Sequence, residues 1–111
     1  MTASKTVIAL NQDQMGHGNR ELGQKVLGTF LRKTVALNQL EAIVLYNGGT
    51  QLVGPDSPVL AELSSLEQNG VDILPCGTCV EAYGVDVKVG RVSNMDEIIA
   101  EMDRADKVIT L

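Results

Sequence analysis

Apolar positions along this chain follow two alternating spacings. Thr6-Val7-Ile8-Ala9-Leu10, Ala42-Ile43-Val44-Leu45-Tyr46 and Val71-Asp72-Ile73-Leu74 are short, nearly unbroken apolar runs, which predict strands covered on both faces. Residues 87–92 read as a weaker fourth strand, and Lys107-Val108-Ile109-Thr110-Leu111 as the last. Between these runs the spacing becomes helical. Asn19 is placed to cap a helix whose stripe is Leu22, Val26 and Phe30, with Leu31, and which continues to about residue 37. Pro58 suits a first helical turn, Val59, Leu63 and Leu66 supply that helix with an apolar face, and Asn69-Gly70 stops it. A short helix is predicted from Cys79 or Val80 to Tyr83, closed by Gly84. A further one is predicted after Ser93-Asn94, with Met95, Ile98, Ile99 and Met102 on one stripe.

Five strands alternating with helices predict an α/β fold. The expected form is a three-layer α/β/α sandwich with a mostly parallel five-stranded sheet, built as one domain over residues 1–111. In such sheets ligands bind beyond the carboxyl ends of the strands. The loops expected there are Met15-Gly16-His17-Gly18, Asn47-Gly48-Gly49, Cys76-Gly77-Thr78-Cys79 and Ser93-Asn94, and together they predict a shallow cleft with the cysteines in its wall.

Composition narrows the function classes. Hydrophobic residues make up 44% of the chain and charged residues 21%, as in ordinary globular domains. No run approaches the roughly 20 apolar residues of a membrane span, so no membrane partner is expected. The start, Met1-Thr2-Ala3-Ser4-Lys5, lacks the apolar core of a signal peptide, and the expected location is the cytoplasm. The net charge is −5, there is no Lys/Arg cluster and no Trp, and a nucleic-acid partner is not expected.

Both cysteines lie in Ile73-Leu74-Pro75-Cys76-Gly77-Thr78-Cys79, after a strand and at a helix start. In a reducing compartment such a CxxC pair points to catalysis or metal binding rather than a structural disulfide. Several readings compete. A redox dithiol is one, although thioredoxin-like proteins carry their pair after an early strand and before a long helix. Structural zinc needs four ligands, and Cys76, Cys79 and His17 are one short, so no metal is expected. Both cysteines could merely pack in the core. The polar Gly77-Thr78 spacer and the helix-start position argue instead for accessible sulfur, and the remaining reading is a sulfur relay, in which a thiolate takes sulfane sulfur as a persulfide and passes it on. Cys79, taken as nearest the helix start, is the expected acceptor, with Cys76 to resolve the persulfide.

The single histidine, His17, is a candidate general base or a group that orients a sulfur anion. Gly16-His17-Gly18 begins like a dinucleotide fingerprint, but Glu21 stands at its sixth position, and no cofactor is expected. Tyr46, Tyr83, Met15 and Met95 are expected to pack, and Glu97, Glu101 and Asp103 to form a solvated face.

Further segments carry a family resemblance. Met15-Gly16-His17-Gly18, Glu21-Leu22-Gly23 and Phe30-Leu31 resemble the opening of the DsrE-like domain of YedF-type proteins, which are called sulfurtransferase-like selenium metabolism proteins. Asn47-Gly48-Gly49, the stretch Leu66-Glu67-Gln68-Asn69-Gly70-Val71-Asp72-Ile73-Leu74 with its CGTC, Tyr83-Gly84, Val89-Gly90, Ser93-Asn94-Met95 and the final strand agree as well. The resemblance spans essentially the whole chain and implies the DsrE/DsrF-like fold. It implies a persulfide-carrying cysteine after the third strand, which maps onto Cys79 with Cys76 as second candidate. It further implies a homo-oligomer and a sulfur-donor or acceptor protein as partner, a TusA-like carrier in trans being one form. The alternatives from other classes are a non-catalytic small-ligand-binding or oligomerisation module and a CxxC redox sensor.

Overall fold

The computed structural model describes residues 5–37 and 39–111. The segment 1–4, read above as lacking a signal sequence, lies outside them. The elements run β1 (Thr6–Leu10), α1 (Arg20–Arg32), β2 (Leu40–Leu45), α2 (Leu60–Gln68), β3 (Asp72–Pro75), α3 (Gly77–Tyr83), α4 (Met95–Arg104) and β4 (Lys107–Thr110), with 3-10 helices at Thr34–Ala36 and Asn47–Val53. The sheet order is β3-β2-β1-β4, and every pairing is parallel. No helix among the described residues is long and apolar enough to cross a membrane.

The period-2 alternation of strands divides the core into two layers. Ile8, Leu10, Ile43, Leu45 and Ile73 point to one side and pack with Leu27 and Leu31 of α1 and Leu63 of α2. Val7, Ala9, Ala42, Val44 and Leu74 point to the other and pack with Ile98 of α4. Cys76 belongs to this second layer because it continues the register of Leu74 past the end of β3. Fully burying such aliphatic side chains stabilises the fold by roughly 1.5–3 kcal/mol each.

The sheet has four strands, not the five predicted. Residues 87–92 form no strand, although they lie along the outer edge of β3: Arg91 N–H donates to the Ile73 carbonyl at 3.1 Å and Ser93 N–H to the Pro75 carbonyl at 2.8 Å. What remains of the fifth strand is a single parallel bridge between Cys76 and Ser93. Gly90 is the cause. Its φ of +83° leaves the β region, and a Cβ there would sit 2.5 Å from the Ile73 carbonyl oxygen.

Helix α1 also differs from the pattern. Asn19 caps it as expected, its side chain accepting from Leu22 N–H at 2.8 Å. The helix ends at Arg32 rather than near residue 37, and Thr34 Oγ1 donates to the Leu31 carbonyl at 2.8 Å. Its buried side is Gly23, Leu27, Gly28 and Leu31, whereas Leu22 is 60% and Val26 40% exposed. Gly23 favours this rotation, since a side chain there would collide with Gln14 and Met15. Of the predicted stripe, Leu31 is buried and Phe30 packs partly against the core, as does Met15, while Leu22 and Val26 face outward along an apolar groove.

Gly90→Ala is expected to destabilise the protein by roughly 2–4 kcal/mol, from left-handed strain and the contact with the Ile73 carbonyl. A urea titration checks this through the midpoint, and an unchanged midpoint would show that Gly90 does not break the strand.

Candidate functional site

Helix α3 begins at Gly77, two residues earlier than the sequence pattern places it, so Cys76 is its N-cap and Cys79 lies inside its first turn. Gly84, with φ of 63°, closes it in a left-handed cap. The early start follows from the neighbouring edge, because Gly77 N–H donates to the Ser93 carbonyl at 2.9 Å while Cys76 N–H donates to the Leu45 carbonyl at 2.8 Å. The chain is thus held on both sides at the point where it turns from strand to helix.

Both cysteines are free thiols, Cys76 buried and Cys79 partly exposed. As a neutral thiol Cys76 caps the helix without a side-chain hydrogen bond. Burial pushes its pKa up, but the backbone N–H and side-chain groups of Cys79 and Thr78 favour the thiolate more strongly. The net result is a thiol more acidic than usual. Cys79 takes a different donor. The backbone N–H of Asn47 points at its sulfur, with N to Sγ at 3.1 Å. Asn47 sits in the left-handed region at φ 49°, a conformation its side chain tolerates, and Tyr83 Oη donates to its Oδ1 at 2.6 Å. Asn47, Cys79 and Tyr83 therefore form one connected group at the carboxyl edge of the sheet.

The other loop residues separate into distinct roles. Gly48 approaches Gln12 and the Tyr83 hydroxyl, and Gly49 lies against the Leu10 carbonyl, so the loops after β1 and β2 meet beside α3. Thr78 is exposed, and Gly77 abuts Ser93 and Val92. Asn94 caps α4, accepting from Glu97 N–H at 2.9 Å. His17 is exposed between Gly16 and Gly18, both with positive φ, and no hydrogen bond among the described residues joins it to either sulfur.

A cleft of about 620 Å3 opens beside this edge, with Asp13, Arg20, Gln51, Asp56, Tyr83 and Asp86 in its wall. Neither cysteine lines it, and neither do Gly16, Gly18, Asn47, Gly48, Gly49, Gly77, Thr78 or Asn94. Met15 borders a separate apolar groove along α1 with Leu22 and Phe30. Tyr83, expected in the core, is 46% exposed and stands at the rim between the cleft and Asn47.

The DsrE/DsrF-like family pattern matches residues 8–111. The chain belongs to the DsrE/DsrF-like family. Solved structures of similar shape include a protein described as of unknown function, MTH1491 from Methanobacterium thermoautotrophicum. It has a TM-score of 0.72 at 21% identity, with 97% of this chain and 99% of that one covered. The ychN protein from E. coli matches with a TM-score of 0.69 at 18% identity over 97% of this chain and 99% of that one. BT1422 from Bacteroides thetaiotaomicron, a conserved protein described as of unknown function, matches at 0.66 and 19% identity over 96% and 94%. At these identities the likeness establishes the fold. No curated protein matches the chain.

The site of this DsrE/DsrF-like domain includes groups that sequence reasoning missed. Glu97 is not a simply solvated residue. It is bound by Arg91 and Ser93, and these hydrogen bonds hold its pKa at about 2. Glu101 is buried and paired with Arg104 at 2.7 Å, whereas Asp103 is exposed as expected. Met95 is 45% exposed rather than packed. Arg91 carried no local signal, because its partner is brought to it by the helix that follows.

Two outcomes follow from this geometry. Tyr83→Phe frees the Asn47 side chain and is expected to speed alkylation of Cys79 roughly two- to fivefold, the weight of one modest hydrogen bond. Mass spectrometry in a Cys76→Ser background reads it, and an unchanged rate would detach Tyr83 from the site. The Glu97 pKa is depressed from 4.5 to about 2, so its contribution to stability is present above 4.5 and is lost as pH falls toward 2. Glu97→Gln should therefore flatten the acid limb of the stability curve in that window, as measured by denaturant midpoints.

Proposed function

We propose that this domain handles sulfur: Cys79 accepts sulfane sulfur as a persulfide and passes it to a partner protein. The observation that carries this reading is a partly exposed free thiol whose sulfur receives the Asn47 N–H, paired three residues away with a buried, acidified one. An N–H aimed at sulfur stabilises negative charge there, whether on a thiolate or a persulfide. In loading, the Cys79 thiolate attacks the sulfane sulfur of a donor, a new S–S bond forms, and the donor leaves with its electron pair. In relay, an acceptor thiolate attacks the outer sulfur and the Cys79 thiolate leaves. Cys76, the readily ionised neighbour, attacks the inner sulfur of a stalled persulfide, forming a Cys76–Cys79 disulfide and expelling hydrosulfide.

Membership of the DsrE/DsrF-like family, generally related to sulfur relay, supports this reading. The open setting of Cys79 outside the cleft suits delivery from a protein surface, such as a TusA-like carrier in trans, in the cytoplasm. A selenium role like that of YedF-type proteins and a homo-oligomeric state belong to the same proposal. His17 enters only as a rim residue of the shared edge.

The test is intact mass after reduced protein meets a sulfane-sulfur donor, on wild type, Cys76→Ser and Cys79→Ser. Gain of single sulfur atoms by wild type and Cys76→Ser, with loss of loading in Cys79→Ser, is the expected result. Loading that depends on Cys76 alone moves the carrier role to that residue. A mass change of two hydrogens without added sulfur would favour the redox-sensor reading, and no change in any variant removes the relay.

A further inference from the structure

The carboxylate of Glu97 sits at the centre of a small network on the outer edge of β3. Arg91 donates to it twice, with NH1 to Oε1 at 2.9 Å, and Ser93 Oγ donates to Oε1 as well. In a capping box this side chain would turn back to the backbone of the cap residue. Here Asn94 caps the helix through its own side chain, and Glu97 is turned instead to Arg91 and Ser93.

Ser93 is the link to the cysteines. It is buried, its N–H donates to the Pro75 carbonyl at 2.8 Å, and its carbonyl accepts from Gly77 N–H at 2.9 Å. These two bonds flank Cys76 on either side. A side chain at Gly77 would crowd this contact, since a Cβ there would lie 3.0 Å from the Ser93 carbonyl oxygen and 3.2 Å from a Val92 side-chain carbon.

We propose that Glu97, held by Arg91, is a positioning residue for the cysteine turn: through Ser93 it fixes Gly77, and with it the first turn of α3 that carries Cys76 and Cys79. Among the described residues no hydrogen bond joins this network to either sulfur. It acts by holding the backbone whose Thr78 and Cys79 N–H groups face Cys76. The use of this device in sulfur transfer rests on the persulfide reading, but the device itself does not.

The probe is iodoacetamide alkylation of Cys76 as a function of pH, in a Cys79→Ser background, read by intact mass. The titratable groups around Cys76 are Cys79, which this background removes, Tyr46 in the same packed layer, and the Glu97–Arg91 pair held to its bridge partner Ser93. Ser93→Ala and Glu97→Gln are each expected to move the midpoint of the rate profile to higher pH by about half a unit or more, as the thiolate loses aligned donors. Removing the Glu97 charge without any change in positioning would ease ionisation and move the midpoint the other way. Arg32→Ala, which breaks the remote pair of Arg32 with Glu62 at 2.7 Å, should leave the midpoint in place. A wild-type or lowered midpoint in Glu97→Gln, or an equal shift in Arg32→Ala, would overturn the proposal. No sulfur donor enters this measurement, so its failure and a failure of persulfide loading are read separately.

Discussion

Where β3 ends, the backbone is gripped from both sides. Cys76 N–H bonds to β2 through the Leu45 carbonyl, and Gly77 N–H bonds outward to the Ser93 carbonyl. A parallel strand at this position would ordinarily release its chain into a free loop. Here the ladder continues one residue further on each side and then gives way directly to a helix. The first turn of α3 therefore inherits the rigidity of the sheet, and the two thiols differ because of it. Cys76 keeps the strand register and is buried in the layer beneath α4, whereas Cys79, three residues along the helix, comes out beside Asn47.

The outer grip depends on a strand that stops. Residues 87–92 run beside β3 without completing a ladder, because Gly90 takes a left-handed turn against the Ile73 carbonyl. A full fifth strand would carry the chain onward along the sheet. The truncated one lets it bend at Ser93 into α4 and brings Arg91, Ser93 and Glu97 together at the cysteine turn. An irregular edge of this kind also avoids presenting a long unpaired strand.

The same principle separates the two faces of α1. Glycine at position 23 permits a close approach to Gln14 and Met15 that a side chain would block, and Gly28, Leu27 and Leu31 lie on the same buried side. Leu22, Val26 and Phe30, the stripe that counts as most hydrophobic, are left lining an apolar groove with Met15. Hydrophobic periodicity detects that a face exists, while the direction in which it points is set by which side can come closest to the sheet.

The linear pattern of the chain carried the α/β class, the first three strands and the last, the Asn19 cap, a capped helix start at Ser93-Asn94, the Gly84 stop, the family, and the placement of the CxxC pair at the carboxyl edge. These are local properties: apolar runs, cap residues and turn residues act over a few positions, and parallel strands joined by helices leave their carboxyl ends on one side. Only the tertiary structure decided that the sheet has four strands, that α1 turns its glycine side inward, that Cys76 rather than Cys79 opens α3, that Asn47 and Tyr83 converge on Cys79, and that Glu97 serves Arg91 and Ser93. Each of these depends on a backbone contact or an ion pair between elements distant along the chain. Such contacts leave no periodic trace, because the energy that selects them comes from shape and charge meeting in space.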